Sequence, residues 1–290
     1  LTMKNIKLSI LLLSIISTMD SIASISKKQI KINAGKSENI HITNFFDEDG
    51  REVYFSGWNV SGAVKLKSMG FLPFKNDKDA LKSLKQMRTD TGANAIRFTI
   101  GWEGVHPNVD KISQEYLEKM LSQIKIAISQ KIYVLLDYHQ DLYSRHVFRK
   151  NSKFTGNGAP KWITPNANTK FNLCFFCLHW SQNNLTNPGL RKSVRDFWEN
   201  APIDTTKGIR YVQDEFHWQL KHVLTFLKSN LQAEEFSYIL GLDPMNEPVD
   251  GGLQGMSAYE WSKHYQWPFY QRVKKVMEDN GWDKKILFFE

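Results

Sequence analysis

Five short apolar runs punctuate this chain, and each closes on polar or ionisable residues. They are a strand ending near Trp58-Asn59, then "ANAIRFTIGW", "KIYVLLDYHQD", "YILGLDPMNEP" and "KILFFE". Segments with helical spacing lie between them. A helix is predicted from about Asp77, with Leu81, Leu84 and Met87 on one side and Gly92 as its stop. Another spans Ser113 to Gln130 and gathers Leu117, Met120, Leu121, Ile124 and Ile128 on one face. A third carries Phe216, Leu220, Val223, Leu224 and Leu227; a fourth starts at Pro268, in proline's favoured first-turn position, and stops at Asn280-Gly281.

Near-continuous apolar strands alternating with amphipathic helices imply a parallel sheet covered by helices. Two architectures meet that description, a doubly wound sheet and a closed barrel. No glycine-rich phosphate loop follows the first strand, which weakens the dinucleotide-binding alternative. Polar residues recur at the strand ends: Asn59, Arg97, His139 with Asp141, Asn246 with Glu247, and Glu290. A barrel collects its chemistry from the ends of several strands in this way. The predicted fold class is therefore α/β, a TIM (β/α)8 barrel of which about the first five strand-helix units are present. A hairpin around Asp49-Gly50 precedes the first strand, and the long segment from Leu142 to Tyr211 is expected to shape the cleft as the loop after strand three.

Before that hairpin, "MKNIKLSILLLSIISTMDSIAS" places Lys4 and Lys7 ahead of an apolar run and ends on a small-residue Ser21-Ile22-Ala23 exit. This is the pattern of a secretory leader, and the run from Leu8 to Ile16 is shorter than the roughly 20 residues of a spanning helix. We expect a signal peptide over residues 1–23, export, and a barrel domain over residues 24–290. Leu1 and Thr2 precede the first plausible initiator, Met3. Loss of Lys4, Lys7 and Asp20 lowers the net charge of +8 by one, so the exported chain stays basic. Such a surface is read first as a solvated basic face, with transient contact with anionic membranes or acidic glycans as the alternative. No dense Lys/Arg block or aromatic-basic module is present, so no nucleic-acid partner is expected. The two cysteines, Cys174 and Cys177, suit a local structural role in an exported protein, and nothing suggests a metal centre.

Taken together, "NAIRF", "LLDYHQD" and "DPMNEP" on successive strands resemble glycoside hydrolase family 5, retaining glycosidases with two catalytic glutamates on a barrel. Within that family, "GWNVSGAVK", "LDYHQDLYS", "GNGAPKW", "CLHWSQNNLTNPGLRKSVRDFW" and "MNEPVDGGLQG" look like the endoglycosylceramidases. The resemblance runs from about Ile40 to the C-terminus. Retaining hydrolysis requires one carboxyl as acid then base and another as nucleophile, about 5–5.5 Å apart. The resemblance implies that Glu247 is the acid/base and that Asn246 hydrogen-bonds the sugar 2-hydroxyl. It implies that Arg97 lies under the active site, where a fixed positive charge orients a carboxylate. His139 and Asp141 sit two apart, so an extended chain points both to one face, where they can reach sugar hydroxyls. Lys65 aligns with a lysine beside the sugar, and Trp180 with an aromatic that stacks on a sugar face. Phe71, Leu72 and Phe74 either line a groove for ceramide tails or form a buried loop.

The family's nucleophile comes from strand seven, whereas Glu290 belongs to strand five. The expectation is thus a C-terminally incomplete enzyme, poorly stable and inactive by itself, because a five-stranded arc leaves two open edges. The expected activity is hydrolysis of the bond between oligosaccharide and ceramide, on a glycolipid or oligosaccharide substrate. The alternatives are an endo-β-glucanase-like polysaccharide hydrolase on the same fold and a non-catalytic glycan- or glycolipid-binding protein. No cofactor is implied, since proton transfer and a carboxylate nucleophile suffice.

Overall fold

Five strands form one sheet in the order in which they occur along the chain: β1 (Gly57–Val60), β2 (Ala95–Ile100), β3 (Tyr133–Tyr138), β4 (Ile239–Asp243) and β5 (Ile286–Leu287). Every neighbouring pair is parallel. A doubly wound sheet reverses its strand order at a switch point. No reversal occurs across these five strands, which therefore trace the first part of a (β/α)8 barrel. The computed structural model describes residues 31–37, 40–47, 49–149, 152, 154–165, 180–253 and 255–289. The predicted leader, Cys174, Cys177 and Glu290 lie outside them.

Alternation along the strands separates two faces. Ile96, Phe98 and Ile100 of β2 and Val134 and Leu136 of β3 are buried beneath the helices. Ala95, Arg97, Leu135 and Leu240 instead line the barrel side, around a cavity of about 320 Å³. Its N-terminal end is closed by aromatic rings from the leading hairpin. Phe45 packs edge-on against Phe55 at 5.0 Å, and Phe55 against Tyr133 at 5.3 Å.

The helices begin where their caps dictate. α1 (Asp77–Thr91) starts at Asn76, whose side chain accepts from the Asp79 amide, and ends at Gly92, whose φ of 68° lets its amide turn back to Arg88. α2 (Gln114–Ser129) starts at Ser113, which accepts from the Tyr116 amide. The core stripe of α1 is rotated from the predicted one: Ala80 and Leu84 are buried and Leu81 is 45% exposed. Helix α1 packs on α2 with Ala80 and Leu84 buried, which leaves Leu81 turned to solvent.

Within the loop after β3, α3 (Pro188–Trp198) is capped by Asn187 and followed by an antiparallel hairpin, Pro202–Thr205 with Gly208–Tyr211. α4 (Val212–Asn230) leads into β4, and α5 (Trp267–Asp279) into β5. Pro268 does not begin that last helical stretch. Helical backbone starts at Ala258 behind a reciprocal Ser257/Glu260 cap and passes through one wider π turn, Ser262–Gln266. That widened turn accommodates the proline, which has no N–H and whose ring would strike a normal preceding turn. An aromatic hub ties these pieces together: Trp102 lies 5.2 Å from Phe216, Phe197 5.3 Å from Phe269, and Trp198 5.7 Å from Phe269. The loop behind β2 is thereby fixed to α3, α4 and α5.

The bulky apolar side chains Leu72 and Phe74 of the segment after β1 are buried, while its lysines border a groove. The Gln123 side chain holds both the amide and the carbonyl of Phe74.

Candidate active site

The sheet register brings two carboxylates together. Asp137 of β3 stands level with Asp243 of β4, and both side chains are buried. Two adjacent buried anions are costly without a cation. Arg97 provides it: its Nη2 lies 2.5 Å from Asp243 Oδ2 and 3.4 Å from Asp137 Oδ1. Arg97 is the third residue of β2, paired with Leu135, so it sits one row below the strand ends and reaches upward. The sequence reading placed it at the end of the strand. Its actual depth follows from register, and its 18% side-chain exposure makes it a cation beneath the rim rather than on it.

The chain of charge continues along β3. His139 Nδ1 is 3.0 Å from Asp137 Oδ2 and its Nε2 is 3.4 Å from Asp141 Oδ2. With carboxylates facing both nitrogens, the doubly protonated ring is the form that donates to both. Burial alone would push the His139 pKa down, but the hydrogen bonds and charges of Asp137 and Asp141 outweigh it and raise the pKa to about 9. Asp141 also accepts from Lys65 Nζ at 2.8 Å and from Asn157 Nδ2 at 2.5 Å. Its burial favours the neutral acid, yet His139, Lys65 and Asn157 together hold the carboxyl well below the usual range. Lys65 closes the short turn after β1 (Gly62–Lys65), so this pair links the first and third strand ends.

Glu247 lies four residues beyond β4, with its side chain exposed at the same rim. Its φ of +44° places it in the left-handed region, and it precedes Pro248. Beside it, Asn246 is buried, its Nδ2 donating to the Gln140 carbonyl at 2.9 Å. Gln140 in turn donates from Nε2 to the carbonyls of Asn246 (2.6 Å) and Glu247 (3.1 Å).

A second ionic cluster steadies the rim. Glu103, just past β2, receives Arg145 at 2.7 and 2.6 Å and faces His146 Nε2 at 3.0 Å. Burial would raise its pKa, but Arg145 and His146 prevail and lower it to about 2. This pins the loop after β3 to the end of β2. Among the described residues no group of three histidine, cysteine, aspartate or glutamate side chains is disposed to hold a metal ion.

Of the residues singled out in the sequence, the structure gathers Arg97, His139, Asp141 and Lys65 into one network and sets Asn246 and Glu247 on the adjoining strand end. Trp180 is not in that network. It is 42% exposed at the start of a short 3₁₀ turn, its carbonyl accepting from Asn183 Nδ2 at 2.7 Å. Sequence reasoning missed Asp137, Asp243, Asn157 and Gln140. The period-two spacing Asp137, His139, Asp141 was available as a signal; Gln140 and Asn157 lie in the stretches "LDYHQDLYS" and "GNGAPKW" that carried the resemblance, but no chemistry singled them out there.

A parallel arc whose C-terminal rim collects acidic, basic and amide side chains from four strand ends is the working end of a barrel enzyme. The family model described as Cellulase (glycosyl hydrolase family 5) matches residues 46–282, and the chain belongs to glycosyl hydrolase family 5. It is 28% identical over 258 residues to a glucosylceramidase of Aspergillus fumigatus, covering 74% of this chain and 33% of that protein. It is 31% identical over 155 residues to an endoglycoceramidase of Hydra vulgaris, covering 50% of this chain and 28% of the other. Among solved structures, the ganglioside GM3 complex of endo-glycoceramidase II from Rhodococcus sp. superposes with a TM-score of 0.66 at 24% identity, over 84% of this chain and 50% of that one. The chain thus spans about a third of these curated relatives and half of the solved one.

Proposed function

We propose that this protein is an exported retaining β-glycosidase that releases oligosaccharide from ceramide, with Glu247 as its acid/base. The observation that carries the reading is the placement of Glu247 on the same rim as the Arg97, His139, Asp141 and Lys65 network. Glu247 protonates the glycosidic oxygen as the bond to ceramide breaks, then takes a proton from the incoming water. The nucleophilic carboxylate is assigned by the family resemblance to a seventh strand, which lies outside the five described.

The network reads as a sugar-binding wall. The 3.4 Å separation between His139 Nε2 and Asp141 Oδ2 is its longest link along that edge. A sugar hydroxyl at this edge donates to the Asp141 carboxylate, which the buried imidazolium holds in place, while Lys65 supplies a donor. Asn246 presents its amide to the 2-hydroxyl, and Trp180 offers a face for stacking. Relatives named for glucosylceramide and glycoceramide hydrolysis support a glycolipid substrate. Such a substrate lies in a membrane, so the protein meets an anionic lipid surface. The groove beside the loop after β1, lined by Lys67, Lys75, Lys78 and Lys119, is suited to that contact.

The test uses protein expressed from the complete reading frame, offered a fluorescent ceramide lactoside and a cello-oligosaccharide panel. The proposal expects glycolipid turnover, abolished by Glu247→Gln. Turnover of cello-oligosaccharides alone would establish the glucanase reading, and binding without turnover the non-catalytic one. Export is checked separately: a secreted product whose N-terminus is Ser24 agrees, and retention of the leader does not.

A further inference from the structure

Glu247 is a residue with a side chain, in a left-handed conformation, before a proline. The left-handed region is disfavoured for an L-residue, and a following proline restricts the backbone further. Something must hold the corner. We infer that Gln140 is the positioning residue of this site, a clamp that fixes the Asn246-Glu247 corner and so aims the Glu247 carboxyl. The inference rests on the assignment of Glu247 as acid/base and adds to it the group that sets its direction.

Four hydrogen bonds define the clamp. Gln140 Nε2 donates to the Asn246 carbonyl at 2.6 Å and to the Glu247 carbonyl at 3.1 Å. Its Oε1 accepts from the Tyr143 amide at 2.6 Å, and its backbone carbonyl accepts from Asn246 Nδ2 at 2.9 Å. A backbone amide can only donate and a carbonyl only accept, so the orientation of the Gln140 amide is determined by its partners. The two carbonyls held by Nε2 belong to the peptides on either side of the Glu247 Cα, and fixing both restricts the φ and ψ rotation that would return Glu247 to an ordinary conformation.

Gln140 is itself held. Leu142 and Tyr143 have φ of 54° and 62°, which turns the Tyr143 amide back to Oε1. Behind them the chain folds over at Gly158, with φ of 119°; a side chain there would lie 2.8 Å from Gln140 Cβ and 2.6 Å from the Tyr143 carbonyl. The loop closes on Gln140 because this position carries no Cβ. An asparagine in place of Gln140 is one methylene too short to span from β3 to the corner, and a glutamate presents a second acceptor to two carbonyls.

The experiment compares Gln140→Met, which keeps length and removes both polar atoms, with Gln140→Glu. Protein labelled with ¹³C and ¹⁵N at glutamate reports the Glu247 backbone directly, its signal assigned by its loss in Glu247→Gln; thermal unfolding reports global folding. In Gln140→Met the expected result is a Glu247 Cα shift moved away from left-handed values in a protein that still unfolds cooperatively. On a substrate the native protein turns over, kcat falls by roughly 10 to 10²-fold, with KM changed by much less, as for a misplaced catalytic group. In Gln140→Glu the activity relative to native recovers toward acid pH, where the carboxyl is protonated and can donate to one carbonyl, whereas the Gln140→Met ratio stays level. An unmoved Glu247 signal in folded Gln140→Met overturns the inference, as does a moved signal with kcat unchanged. If native protein from the complete reading frame turns over nothing, the acid/base assignment fails while the Glu247 shift still decides whether Gln140 is the clamp.

Discussion

Replacing Arg97 with methionine should be among the most damaging single changes in this protein, and the structure says by how much. Its guanidinium lies 2.5 Å from Asp243 and 3.4 Å from Asp137, carboxylates whose side chains are 3% and 0% exposed. At an effective dielectric constant of about 20, the gross attractions are roughly 7 and 5 kcal/mol. Most of that is offset by the desolvation of three buried ions, so the pairing is a weak source of net stability. Removing only the cation leaves two carboxylates facing each other without compensation, a situation that costs about 3–5 kcal/mol. For a chain of this size that corresponds to a Tm lower by roughly 5–8 °C. Restoring charge balance should reverse part of it: Arg97→Met combined with Asp243→Asn is expected to be more stable than Arg97→Met alone, a coupling of about 1–3 kcal/mol. Urea unfolding of the native protein, both single variants and the double variant closes the cycle. A cost for Arg97→Met within about 0.5 kcal/mol, the range of an ordinary surface substitution, would refute the reasoning; so would a double variant that shows no recovery.

The raised pKa of His139, from an ordinary 6.5 to about 9, means that its charged pairing is fully present below pH 6.5 and lost as pH rises through about 9. The stability advantage of native protein over His139→Gln, of order 3 kcal/mol, should therefore shrink between pH 6.5 and 9.5 in urea titrations, and a constant difference would contradict the imidazolium. His106 titrates in the opposite sense: buried between Trp162 and Trp218, with both ring nitrogens lacking a hydrogen-bond partner among the described residues, it is pushed down to about 4. The unfolded chain binds that proton first, so about 3 kcal/mol is lost as pH falls from 6.5 to 4, and His106→Phe should flatten this acid limb. Vesicles containing phosphatidylserine should retain the protein at low salt, and the triple change Lys67→Glu, Lys75→Glu, Lys78→Glu should release it; equal retention of the variant would place the lipid contact elsewhere.

The three central strands, β2, β3 and β4, were legible because parallel strands buried on both faces write themselves as continuous apolar runs. Glu247 stood out because a carboxylate following such a run has left the sheet. Asp137 and Asp243 did not, since each lies inside an apolar run, and only the lateral register reveals that they stand side by side over Arg97. The depth of Arg97 is likewise a property of pairing, which no single strand encodes. Gln140 acts on backbone carbonyls, which every residue possesses, so its partners leave no trace in the sequence. Helix α1 shows a different limit: the pattern allowed Leu81 on the core face, and the folded helix buries Ala80 instead. The π turn before Pro268 shows the same, because a proline reads as a helix start until the chain finds another way to do without its N–H.

The assignment of Glu247 as proton donor is tested most directly by the leaving-group dependence of Glu247→Gln. An acid catalyst matters only where the departing oxygen needs a proton, so with protein from the complete reading frame the account predicts loss of ceramide lactoside turnover by about 10²–10⁴-fold. A lactosyl fluoride, whose leaving group departs unaided, should still form the glycosyl-enzyme at a rate within about tenfold of native. Equal losses on both substrates, or a variant that cleaves the ceramide lactoside at the native rate, would contradict it.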